Sequence, residues 1–146
     1  MKINYIQKAA LFLLFSVSIY AQKPVGQLPI INVRGVSKYS NLKDLEGMNK
    51  GELKSLYLER VKILINIMPY MAITSKPGVT LKDLGVPESV ENVNALKKET
   101  DNRALYLTSN AEFLDTIMSY SDKSVIITAI LFLEETMKKI HSGDEL

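Results

Sequence analysis

Cysteine and tryptophan are absent from the chain, and histidine occurs once among its 146 residues. Without cysteine no disulfide can staple the fold, so stability rests on packing. The lipoprotein route, which needs a cysteine at the new N-terminus, is closed as well. The lone His141 sits near the C-terminal end, and one imidazole cannot assemble a zinc site, which takes several ligands at fixed geometry. Di-iron bundles need Glu-x-x-His pairs, and the chain has none. Ser-His-Asp sets, Gly-x-Ser-x-Gly turns, phosphate-cradling glycine loops and calcium loops are missing too. No cofactor and no catalysis are therefore expected.

An excess of one charge is also lacking. The 18 basic side chains nearly balance the 16 acidic ones. Lys2 and Lys8 lie in a leader that has no acid, so the remainder is formally neutral. That argues against nucleic acid as a partner, because such binding needs a concentrated positive field. Lys97-Lys98 and Lys138-Lys139 read as solvated helix faces.

What the chain does carry begins with that leader. Lys2 and Lys8 precede the apolar run Ala9–Phe15, and small residues lead to Ala21 before Gln22. A basic start, an apolar middle and a small-residue cut site describe a secretory signal peptide over residues 1–21. Ala21 is the expected cut point, with Ser18 as the second choice. The run ending at Ala21 falls short of the roughly 17–25 residues a spanning helix needs. Export of the Sec type to the periplasm or the medium is expected, with no transmembrane anchor after cleavage and no lipid anchor.

Residues 22–48 read as an extended arm and a short helical turn. The arm holds Pro24, Gly26, Pro29 and Gly35 and the β-branched run Ile30-Ile31-Asn32-Val33-Arg34-Gly35-Val36, with no helical period. It either lies over the bundle as a loop, filling a groove, or adds a strand to another chain. Residues 49–146 read as the bundle proper. Asn49 and Glu52 form a capping box. Leu53, Leu56, Tyr57, Val61, Leu64, Met68 and Met71 then recur at helical spacing, against a narrow polar stripe of Ser55, Glu59, Lys62 and Asn66. Pro69 kinks or ends this helix. Ser75-Lys76-Pro77-Gly78 is a turn, Thr80–Gly85 a capped turn, and Pro87 is expected at the first position of the next helix.

That helix presents Val90, Val93, Leu96, Thr100, Ala104 and Leu107 inward, and Phe113, Leu114, Ile117 and Met118 further on. A second capping box at Ser109–Glu112 leaves open whether it breaks there. Ser121-Asp122 cap a last helix whose inner face is Ile126, Ala129, Ile130, Leu133, Met137 and Ile140. The expected fold is all-α: a small three- to four-helix up-and-down bundle with short connections, preceded by the extended arm.

Two groups of residues are candidates for function. Ile30, Ile31, Val33, Arg34 and Val36 on the arm are candidates for contact with a protein partner. Asp101, Asn102, Arg103 and Tyr106 could make a polar recognition patch. The competing reading of Arg103 is a buried pair with Glu99 or Asp101, since arginine suits such pairs. Glu88/Glu91, Glu112/Asp115 and Glu134/Glu135 sit where helix starts and polar faces ordinarily place acids. The expectation is an exported, non-catalytic protein that works by protein–protein contact. Its alternative is a carrier that holds a lipid or other apolar small molecule between helices.

Overall fold

A computed structural model describes residues 27–142. The leader over residues 1–21 and its cut site therefore lie outside the described residues. Among the described residues four α-helices make up the fold: α1 (Leu42–Gly47), α2 (Lys50–Ile67), α3 (Val90–Met118) and α4 (Lys123–Ser142). The architecture is all-α, a small helical bundle. Single 3-10 turns at Met68–Tyr70 and Lys82–Leu84 lie in the long connection from α2 to α3. That connection is not short, contrary to the expectation for an up-and-down bundle. Pro69, Pro77 and Pro87 with Gly78 and Gly85 deny it a helix.

The helix starts follow from local chemistry. Asn41 accepts a hydrogen bond from Asp44 N at α1. At α2 the box closes both ways: Glu52 N donates to Asn49 Oδ1 at 3.0 Å and Asn49 N to Glu52 Oε2 at 2.7 Å. Ser89 caps α3, so Pro87 sits outside the helix, its carbonyl accepting from Asn92 Nδ2 at 2.8 Å. α2 ends at Pro69 in one 3-10 turn, leaving Met68, Met71 and Ile73 in solvent. α3 runs unbroken through Ser109.

α2 is the centre, packed chiefly on α4 and also on α3, while α1 closes one end of α4. Lys54 on the start of α2 pairs with Asp115 near the end of α3, and Tyr70 after α2 meets Glu99 and Arg103 in the first half of α3. α3 is thus antiparallel to α2. Leu53 packs near Ile126 and Ile130, and Ile67 near Met137, so α4 runs parallel to α2.

The core has two halves. One is Leu45, Leu53, Met118, Ile126, Ile127 and Ile130; the other is Ile30, Ile31, Ile63, Leu64, Ile67 and Met137. Arg60 falls between Leu53 and Ile63 on α2, and Glu134 between Ile130 and Met137 on α4. Arg60 Nε donates to Glu134 Oε1 at 2.8 Å, with the two side chains 5% and 1% exposed. Ser40 N gives Glu134 Oε2 a second bond at 2.7 Å, and Arg60 Nη2 reaches Lys38 O at 3.1 Å. A charged belt therefore crosses the waist of the core and holds the arm to both helices.

Candidate functional site

The arm folds back onto its own bundle. Pro29 bridges to Thr80, Ile30 N donates to Val79 O at 2.8 Å and Gly78 N to Ile31 O at 3.1 Å. Gly78 makes that approach at φ 86, a value few side chains tolerate. Ile30 and Ile31 are 4% and 0% exposed, and Val33 and Val36 are half-buried against the same core. Of the five arm residues, Arg34 alone is exposed. A partner could not reach Ile30 or Ile31 without pulling the core apart.

Asp101, Asn102, Arg103 and Tyr106 do not come together as one patch. Asp101 accepts from Lys97 Nζ at 2.6 Å in solvent, and Asn102 is exposed. Arg103 turns inward, buried, and pairs with Glu99 at 3.0 Å. Its guanidinium also donates to the Tyr70 hydroxyl and, at 3.4 Å, to Ile30 O, and it lies 5.0 Å from the Tyr70 ring centre. The inward turn has a periodic cause: Leu96, Thr100, Arg103, Leu107, Leu114 and Met118 share one face at helical spacing. Burial raises the Tyr70 pKa, the Glu99 carboxylate adds to the rise, and Arg103 opposes it. Burial likewise raises Tyr39, helped by Glu134. Asp83 is lowered, first by the Thr80 backbone N–H that it accepts at 2.9 Å.

Glu134 sits in the core and not on a polar face, and Arg60 was no candidate at all. The spacing Ile126, Ile130, Glu134, Met137 and the spacing Leu53, Leu56, Arg60, Ile63 both contain the signal. Each charged residue occupies an inner-face position.

α3 leaves much apolar surface unclaimed. Among the helices it packs mainly on α2, with Leu96 against the arm's half of the core and Met118 in the half shared with α1 and α4, and only Arg103 and Met118 of its residues are buried. Leu114 and Met118 turn inward, but Phe113 and Ile117, expected beside them, stay 62% and 48% exposed. Tyr106 and Leu105 are 55% and 71% exposed, Val90 is 79% exposed, and Tyr120 in the following turn is 88% exposed. Tyr106, Phe113, Ile117 and Tyr120 line one side of the helix.

Between α2 and α3 lies an open groove of about 520 Å³, bordered by Val33, Leu107 and Ala111 but also by Lys62, Asn66, Arg103 and Glu112. Among the described residues no three histidine, aspartate or glutamate side chains cluster as metal ligands would. No helix among them is long and apolar enough to cross a membrane. A scan against protein-family models finds no match, and searches of curated proteins and of solved structures return none.

Proposed function

We propose that this chain is an exported helical protein that acts by contact with another protein through the open side of α3. One observation carries the reading: Tyr106, Phe113 and Ile117 on α3 and Tyr120 in the turn after it lie exposed, while the opposite residues of the same helix, Leu114 and Met118, pack into the core. Exposed apolar patches of a few hundred Å² on small proteins are commonly contact sites. Tyrosine and phenylalanine are the residue types such surfaces favour. Export is supported by the Lys2–Ala21 pattern alone.

A photo-crosslinking residue at Phe113, in the producing cell, tests the contact. Covalent adducts are expected there and not from the same group at Glu135, an exposed position on α4. Equal labelling at both positions, or none at either, overturns the reading. N-terminal analysis of the natural product should begin at Gln22. Met1 retained in a cytosolic fraction would end the export half.

The second reading is carriage of an apolar ligand, and the α2–α3 groove favours it. Against it stands the open mouth, since carriers enclose their cargo. Native mass spectrometry of envelope-purified protein separates the two: a bound lipid supports carriage, and bare protein removes it.

A further inference from the structure

We propose that the occupant of the α3 face is a second copy of this chain, with the two α3 helices crossing antiparallel about Phe113. The inference rests on the reading of α3 as a contact surface and names its partner. Tyr106, Phe113 and Tyr120 stand seven residues apart. On an α-helix that spacing drifts by only about 20° per step, so Tyr106 and Phe113 stand nearly in line and Tyr120 follows them in the turn that ends the helix. Tyr120 lies just past the helix, where its N–H still donates to Ile117 O at 3.0 Å and the backbone keeps turning.

A row that is symmetric about its middle residue complements itself under a two-fold rotation. In such an isologous contact residue i meets j while j meets i. Phe113 then meets Phe113, Tyr106 meets Tyr120, and Ile117 meets Ser109, the residue equally far on the other side of Phe113. The small serine opposite the branched isoleucine leaves room for a close approach.

Area supports the same occupant. With aromatic side chains of about 150–250 Å² each, the three aromatics and Ile117 leave about 500 Å² in water per copy. A stable interface takes about 800 Å² per partner, and Asn102, Ser109, Asn110 and Thr116 beside the row supply a polar rim. Charge supports it too. Glu99 is paired with Arg103 at 3.0 Å, Asp101 with Lys97 at 2.6 Å and Asp115 with Lys54 at 2.7 Å, all within the chain. Glu112 borders the groove toward α2. Two identical copies thus meet across faces whose acids already have their bases, which removes the repulsion that self-pairing otherwise incurs.

The test is sedimentation velocity of the full chain, expressed from residue 1 and purified in the form the cell delivers, over about 1–100 µM, the weak end for an interface of this size. Wild-type protein should approach twice the chain mass and dissociate on dilution. Phe113→Glu and Tyr120→Glu should each weaken the dimer by about tenfold or more. Leu105→Glu, exposed but off the row, should leave it unchanged. Helical circular dichroism on each variant shows that it has folded, and Tyr120, outside the helix, provides the variant least able to unfold it. A wild-type monomer throughout, or a dimer indifferent to both row substitutions in folded protein, overturns the proposal. A monomer that still crosslinks from Phe113 to a different protein sinks self-pairing and leaves the contact reading standing. A monomer with no adduct of any kind sinks both.

Discussion

Replacing Glu134 by alanine removes the acceptor of two hydrogen bonds at once. Arg60 Nε at 2.8 Å and Ser40 N at 2.7 Å both lose their partner, in a place where the carboxylate is 1% exposed and water has no access. Arg60 keeps Glu59 at 3.0 Å and Lys38 O at 3.1 Å, but its inner edge faces apolar neighbours. Orphaning one member of a buried ion pair typically costs about 3–5 kcal/mol. A domain of this size has about 5–15 kcal/mol in total. Glu134→Ala should therefore lower the melting temperature by about 10–20 °C, and the urea midpoint by about 1.5–3 M. The assay is urea unfolding followed by helical circular dichroism, with wild type and variant at equal concentration. The double variant Arg60→Met with Glu134→Leu removes both charges and should recover most of the loss, because apolar replacements of buried pairs are often neutral. Recovery stops short of complete, since Ser40 N–H remains without its acceptor. A single variant that loses less than about 1 kcal/mol, the range of an exposed pair, would refute the claim that this belt is a buried one.

Arg103→Met should cost about 2 kcal/mol through its charged hydrogen bonds and speed amide exchange at Ile30, whose N–H is fixed to Val79 O; unchanged exchange there would uncouple Arg103 from the arm. Gly85→Ala should destabilise by about 1 kcal/mol or more, since Gly85 sits at φ 73, whereas Gly47→Ala, with open space around it at the end of α1, should gain about 0.5 kcal/mol; thermal melts of both variants compare the two signs. Tyr39 and Tyr70 have pKa values raised on folding, so their stabilisation is complete below about pH 10 and is lost as pH climbs through the raised values. Tyrosinate absorbance, with melts at matched pH, should lose a late-titrating component in Tyr39→Phe and in Tyr70→Phe; a late limb unchanged in both variants would contradict it. Asp83 has the opposite sign: its lowered pKa supports folding at neutral pH, and that support fades as acid protonates it, so Asp83→Asn should flatten the acid limb of the stability curve.

How much of this was legible depended on the range of the interaction. The box at Asn49–Glu52, the Thr80–Asp83 turn with Gly85 behind it, and the helical class all formed as the residues indicated, because each is decided within about one turn of chain. The end of α2 at Pro69 was left two ways open by the pattern, whereas Pro87 was expected inside the next helix and the Ser89 cap starts that helix at Val90 instead. Facing was harder. Hydrophobic spacing put Phe113 and Ile117 with Leu114 and Met118, yet which half of a wide arc is covered depends on how many helices lie alongside, a tertiary fact. Arg60 and Glu134 were invisible as a pair because they lie 74 residues apart, although each occupies an inner position of its own helix. The arm had two readings, a loop filling a groove of its own bundle or a strand for another chain, and the bundle takes up Ile30, Ile31 and Val33 as the first required.

The belt at the waist also sets an order of assembly. Ser40 and Glu134 are joined across 94 residues, and the upper half of the core closes only when Met137 arrives beside Ile31 and Ile67. A chain emerging from its N-terminal end can cap α2 and coil α3 early, but Arg60 Nε has no Glu134 to donate to until nearly all of it is out. Closure of the domain therefore waits on α4, and a chain halted before it leaves the Arg60 guanidinium with Glu59 and Lys38 O but without the buried carboxylate that satisfies its Nε.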